Sequence, residues 1–170
     1  CKKIVSGLLN FARKTQINRD YTDLNLVIKQ SIDSVIIPGE IKIITEDNTK
    51  NPSAMVDTEQ ITQLVSNLVK NSVDALAGKG RIKISLKGEE KTIKLSVWDS
   101  GPGIDREIRD KIFEPFYTTK GTGSGTGLGL ATAYGIVKMH RGQIDLNSND
   151  DPAEGETFTE FVITLPRSSE

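Results

Sequence analysis

Hydrophobic residues recur along the chain at two spacings, one helical and one extended. Apolar side chains three or four residues apart predict amphipathic helices over residues 2–14, 23–36 and 58–80. Asp23 is a suitable N-cap for the second of these helices. A further apolar helix is predicted from Leu128 to His140.

Alternating apolar and polar residues predict five strands. The second and third strands flank the short segment "GEEK", which suggests a hairpin with one buried face. Helices and strands in this order predict an α+β fold, a two-layer sandwich in which helices cover one face of a mixed, mostly antiparallel sheet. The predicted strands span residues 41–46, 81–87, 92–99, 142–148 and 157–165.

Composition limits the class of protein. The chain has 170 residues, about one domain, and a net charge of −1, which does not favour a nucleic-acid or anionic-membrane partner. A single cysteine excludes an internal disulfide, and no Cys/His cluster has metal-site spacing. No apolar run approaches the length of a membrane span. We therefore expect a cytoplasmic domain without membrane contact.

The long helix carries a second, polar stripe beside its apolar one. Asn67, Asn71 and Asp74 follow the spacing i, i+4, i+7, so they share a face. A solvated face is one interpretation. The other is that the amide oxygens face a cleft, where hard oxygen ligands suit Mg²⁺.

Asp99 ends the second hairpin strand, and the turn "GPG" follows it. An aspartate in this position can simply cap a turn. Alternatively, its carboxylate accepts a hydrogen bond from the exocyclic amine of adenine, while Gly101 and Gly103 let the ring approach the backbone. Such a site rejects guanine, which presents a carbonyl there.

Glycine occupies every second position at the start of "GTGSGTGLGL", residues 121–130. The run matches neither the dinucleotide fingerprint nor the GxxxxGK[ST] phosphate loop. A flexible linker is one interpretation. Because the run leads directly into an apolar helix, it also suits a phosphate-binding lid anchored at a helix N-terminus.

Four segments in order resemble the N, G1, F and G2 boxes of the histidine-kinase catalytic domain, a Bergerat-fold ATPase shared with topoisomerases, MutL-type repair proteins and chaperones. They are "NLVKNSVDAL", "DSGPGI", "FEPFYTTK" and "GTGLGL". In addition, "IVSGLLNFARK" resembles the end of the dimerisation and phosphoacceptor hairpin. The resemblance implies a hairpin tail over residues 1–20 and a catalytic ATP-binding domain over residues 21–170.

The resemblance also implies roles for individual residues on the helix and the first turn. Asn71 would coordinate Mg²⁺, with Asn67 close by. Asp99 would bind the adenine amine, and Gly101 and Gly103 would shape the base pocket. Because Trp98 adjoins Asp99, we expect its fluorescence to report nucleotide binding.

The lid residues follow by the same comparison. Phe113 and Phe116 would anchor the lid. Lys120 would join Asn67 and Asn71 as a catalytic residue at the γ-phosphate, although it also fits plain surface charge. The triphosphate would be lined through backbone N–H groups by Gly125, Gly127, Leu128 and Gly129.

Two departures from the family refine the expected function. ATP-hydrolysing relatives carry a glutamate base at the position of Asn67, and an asparagine cannot accept a proton near neutral pH, which favours a kinase. His140, the only histidine, matches a structural position, so the phosphoacceptor histidine would lie on a separate hairpin of the same full-length kinase. A response regulator would be the downstream partner. An ATPase clamp and a nucleotide-binding module without transfer activity are the alternatives.

Overall fold

Five strands form one mixed sheet in this computed structural model, which describes residues 17–119 and 125–168. The helix predicted over residues 2–14 and the side chain of Lys120 lie outside the described residues. These strands are β2 (Glu40–Asn48), β4 (Lys79–Gly88), β5 (Thr92–Asp99), β6 (Gln143–Asn149) and β7 (Phe158–Pro166). Their order across the sheet is β2-β4-β5-β7-β6.

Only one pairing within this sheet is parallel. β2 runs parallel to β4, whereas β4–β5, β5–β7 and β7–β6 are antiparallel. The predicted hairpin is confirmed, with Leu86 opposite Leu95 in its register. The mixed, mostly antiparallel sheet that the sequence predicts is therefore confirmed.

A second, two-stranded sheet was not predicted. β1 (Asp20–Asp23) pairs antiparallel with β3 (Ser53–Val56). These strands have four residues each, too few to show a clear alternation in the sequence. They tie the start of the described chain to the segment that enters the long helix.

Three helices cover the larger sheet. Asp23 caps α1 (Leu24–Asp33) by accepting a hydrogen bond from the Asn25 N–H at 2.8 Å. Asp57 caps α2 (Thr58–Leu76) in the same way, through the N–H of Gln60 at 3.0 Å. α3 spans Gly129–Met139. The three predicted helices that fall within the described residues are present, and α2 ends two residues before the first expected glycine because Ala77 itself adopts the left-handed conformation.

The core lies between these helices and one face of the sheet. On β4, Ile82, Ile84 and Leu86 are fully buried, while the residues between them point to the opposite, partly exposed face. Leu64 and Leu68 of α2 meet the buried face. In the described part of the chain, no helix is both long and apolar enough to cross a bilayer.

Candidate functional site

A cavity of about 630 Å³ opens between α2, the end of β5 and the segment that leads into α3. Helix α2 contributes a polar wall, and the glycine-rich segment before α3 contributes the facing wall. Among the predicted site residues, seven line this single cavity: Asn67, Asn71, Asp99, Gly103, Gly125, Gly127 and Gly129.

Asp99 forms the buried base of the cavity and is only 3% exposed. Ser72 Oγ donates a hydrogen bond to its Oδ2 at 2.7 Å, and the Gly101 N–H donates to its Oδ1 at 3.0 Å. Burial raises the pKa of Asp99, and these two hydrogen bonds oppose that rise. A carboxylate has about four acceptor positions, so Asp99 can still accept a hydrogen bond from a ligand.

The polar stripe of α2 lines the cavity, and its two asparagines are half-buried. Asn67 Nδ2 donates to the carbonyl oxygen of Gly129 at 3.3 Å, which ties the first residue of α3 to α2. Asn71 lies beside the same residue, because a Cβ added at Gly129 would sit 3.9 Å from Asn71 Oδ1. The start of α3 is thus held directly against both asparagines.

The donor set on this wall suits Mg²⁺. Asn67, Asn71 and Asp74 line the cavity and offer amide and carboxylate oxygens. No group of three or more His, Cys, Asp or Glu side chains among residues 17–119 and 125–168 could enclose a metal ion. A cation here would therefore keep water and substrate oxygens as ligands, as Mg²⁺ prefers.

Of the two predicted glycines near the base of the cavity, Gly103 is required by its surroundings. Gly103 has a φ of +79°, and a Cβ there would lie 2.8 Å from the Cα of Asp150 and still closer to the backbone of Asn149. Gly101 does not itself line the cavity; it acts through its hydrogen bond to Asp99. Only a bare backbone fits at Gly103.

The two ends of the expected lid meet at Phe116 and Gly127. The Phe116 N–H donates to the Gly127 carbonyl at 2.9 Å, and both residues have positive φ. Phe116 is 49% exposed, and its hydrogen bond with Gly127 is made through the backbone. Phe113, by contrast, packs its half-buried ring on Tyr134 and Phe161.

Three expectations from the sequence, on Leu128, Lys120 and Trp98, are not confirmed. Leu128 is not among the residues that line the cavity. Lys120 lies outside the described residues. Trp98 points to the opposite face of the sheet, where it stacks on Phe158, so the reason for expecting a fluorescence response is removed.

His140 is structural, as expected. It is 3% exposed, and its Nδ1–H donates to the Ile136 carbonyl at 2.8 Å. Its Nε2 accepts a hydrogen bond from the Asp57 N–H at 3.0 Å, which joins the end of α3 to the cap of α2. Burial lowers the pKa of His140.

Ser72 and Thr159 are among the cavity residues that the sequence did not predict. Ser72 is buried on α2 and holds Asp99, and Thr159 lies opposite Asp99 in the β5–β7 register. Ser72 could have been found because it follows Leu68 by four residues, which places a polar side chain on the core-facing stripe of α2. The position of Thr159 depends on the pairing of distant strands, which the sequence does not give.

Comparison with known families agrees with this α+β fold and its cavity. The family model described as "Histidine kinase-, DNA gyrase B-, and HSP90-like ATPase" matches residues 56–169. The chain belongs to this family.

Named relatives are sensor kinases. The sensor histidine kinase ZraS of Escherichia coli K12 is 35% identical over 160 residues, which cover 92% of this chain and 34% of ZraS. Sporulation kinase B of Bacillus subtilis 168 is 32% identical over 166 residues, covering 96% of this chain and 37% of that kinase. The chain thus spans about a third of the length of these relatives.

A solved structure shares the fold over nearly its whole length. The mycobacterial sensor histidine kinase MprB superimposes with a TM-score of 0.77 at 26% identity. The match covers 88% of this chain and 97% of the MprB chain. The α+β architecture expected from the sequence is confirmed by this likeness.

Proposed function

We propose that this chain binds Mg-ATP and transfers the γ-phosphate to a histidine on a separate phosphoacceptor hairpin in two-component signalling. The observation that carries the proposal is that Asp99 and Asn71 line the same cavity. One offers a buried acceptor for a base and the other an oxygen ligand for a cation. The sensor-kinase relatives support this choice within the family.

Asp99 would select adenine. Its carboxylate is fixed by Ser72 and Gly101, so its remaining acceptor positions point in a defined direction. Guanine would place a carbonyl against this carboxylate and leave it unpaired, which costs a large factor in affinity. Gly103 keeps the wall thin enough for a flat ring.

The phosphates would lie against the start of α3. Its first N–H groups have no partner within the helix, and its dipole favours anions. Asn67 and Asn71 are held against Gly129 at this point. Asn71 would hold Mg²⁺ together with phosphate oxygens and water, and the ion would neutralise phosphate charge during transfer.

The transfer step needs no base from this chain. A nitrogen of the acceptor imidazole attacks the γ-phosphorus, the bond from that phosphorus to the β–γ bridging oxygen breaks, and ADP leaves with the electron pair. The imidazole then loses its proton to solvent. Catalysis depends on positioning and charge neutralisation. Asn67 cannot activate water as a base, which supports transfer over steady hydrolysis.

The partners would be the hairpin, supplied by the same full-length kinase, and a response regulator. We propose residues 1–20 as the tail of that hairpin. Because the enzyme would use ATP as its substrate, it would act in the cytoplasm.

A phosphotransfer assay tests the proposal. The chain is mixed with Mg-ATP labelled at the γ-phosphate and with phosphoacceptor hairpins of sensor kinases. Acid-labile phosphate on a hairpin is the expected result. Steady phosphate release without any acceptor would instead indicate an ATPase clamp, and nucleotide binding with neither reaction would indicate a binding module.

A further inference from the structure

The charged side chains in the described lining of the cavity are acidic, with one exception. Asp74, Asp99 and Asp105 contribute carboxylates. Lys70 is the one Lys, Arg or His among the described residues that line this cavity. A triphosphate that enters therefore meets more negative than positive side chains, and a cation within reach has a large effect on binding.

Lys70 belongs to the same face of α2 as the asparagines. It follows Asn67 by three residues and precedes Asp74 by four, so the three side chains are neighbours on the helix surface. Asn67 is bonded to Gly129 at the first turn of α3. Lys70 therefore lies at the phosphate end of the proposed site, away from the buried Asp99.

The ammonium group of Lys70 is available for a ligand. The residue is exposed, and it forms no ion pair or hydrogen bond with any side chain or backbone group in residues 17–119 and 125–168. The next basic residues along the chain, Lys79 and Arg81, do not line the cavity. A compact charge on a flexible stem is well suited to a phosphate group.

We propose that Lys70 contacts the β- and γ-phosphates of ATP and is a substrate-binding residue of this domain. The inference rests on the proposed function, because it takes the α3 end of the cavity as the phosphate end. Lys70 supplies positive charge beside Asn67 and Asn71 and thereby holds the terminal phosphates in line for transfer.

Binding measurements on matched variants test this role. Lys70→Met keeps the stem and the helix but removes the charge, and Lys70→Arg keeps the charge. Lys29→Met, at an exposed helical lysine outside the cavity, is the control. Mg-ATP affinity is measured by calorimetry at low and moderate salt, and AMP affinity by NMR titration.

Lys70→Met is expected to lower Mg-ATP affinity about tenfold, the effect of one charge-assisted contact. AMP affinity should stay the same, the salt dependence of Mg-ATP binding should fall, and Lys70→Arg should recover most of the affinity. Lys29→Met should match the parent chain.

Two results would overturn the proposed role of Lys70 and leave the proposed function of the domain intact. One is parent-like Mg-ATP affinity in Lys70→Met, and the other is an equal loss for ATP and AMP, which would indicate an effect on cavity shape. A parent chain that binds no ATP would overturn the proposed function as well.

Discussion

Ser72 Oγ donates a 2.7 Å hydrogen bond to Asp99 Oδ2, and both side chains are buried. This bond joins the middle of helix α2 to the end of strand β5. It fixes the orientation of the carboxylate that we assign to adenine recognition. Ser72 can therefore affect how well the base is bound by fixing the orientation of Asp99.

Removing this hydroxyl tests the relationship. Ser72→Ala leaves a buried carboxylate oxygen without its partner, so we expect the free energy of unfolding to fall by about 1–3 kcal/mol. ATP affinity should fall as well, because the carboxylate loses its fixed direction. Denaturant titration and calorimetry measure the two effects.

Ser96→Ala is the matched control for that variant. Ser96 shares a 2.8 Å hydroxyl contact with Ser85 on the half-buried outer face of the sheet. Its removal should change stability only slightly and leave ATP affinity intact. Equal effects from Ser72→Ala and Ser96→Ala would contradict the assigned role of Ser72.

The lid base provides a second prediction. Gly127 has a φ of +64°, and a Cβ there would lie 2.6 Å from the Cα of Phe116. Gly127→Ala should therefore separate the two lid ends, cost about 1–3 kcal/mol of stability and weaken nucleotide binding. Gly39→Ala, where a Cβ meets no atom within 4 Å, should leave both properties unchanged. Parent-like nucleotide binding in Gly127→Ala would show that the contact between Phe116 and Gly127 is not needed for binding.

Because His140 is buried, its protonation should make the stability of the protein depend on pH. The imidazole of His140 is neutral in the fold, since Nε2 accepts from Asp57 while Nδ1–H donates, and burial lowers its pKa below the usual 6.5. Well above pH 6.5 the imidazole is uncharged in both the folded and the unfolded state, so it adds no pH dependence to the free energy of unfolding. As pH falls from 6.5 towards the lowered folded pKa, only the unfolded state gains the proton, and stability is lost.

His140→Asn separates this contribution from other titrations. The variant should be less stable at pH 8, because it loses buried contacts, and its stability should depend less steeply on pH below 6.5. Urea titrations of both proteins between pH 5 and pH 8 measure the difference. Parallel pH profiles would show that His140 does not carry the effect.

Local patterns were sufficient for most of the fold. The helical stripe of α2 and the alternation in β4 and β5 each extend over at least eight residues, long enough to fix element type. β1 and β3 were missed because four residues carry too little periodicity. The parallel pairing of β2 with β4 depends on long-range packing and was not specified.

The candidate site was predicted in outline because its residues lie in short, ordered motifs. Ser72 and Thr159 were missed because their roles depend on which neighbours surround Asp99 in three dimensions. The expectation for Trp98 relied on adjacency in the sequence alone. Trp98 adjoins Asp99 in the sequence, yet strand alternation places the two side chains on opposite faces of the sheet.

The proposed function depends most on a shared cavity in which Asp99 would accept a hydrogen bond from the base and Asn71 would hold the cation. Calorimetric titration of ATP, with and without Mg²⁺, into the parent chain, Asp99→Asn and Asn71→Ala tests this directly. Asp99→Asn should bind ATP far more weakly, since its amide keeps one acceptor oxygen and would place its NH₂ against either the Ser72 hydroxyl or the Gly101 N–H. Asn71→Ala should bind with little dependence on Mg²⁺. Parent-like ATP affinity and Mg²⁺ dependence in both variants would contradict the account.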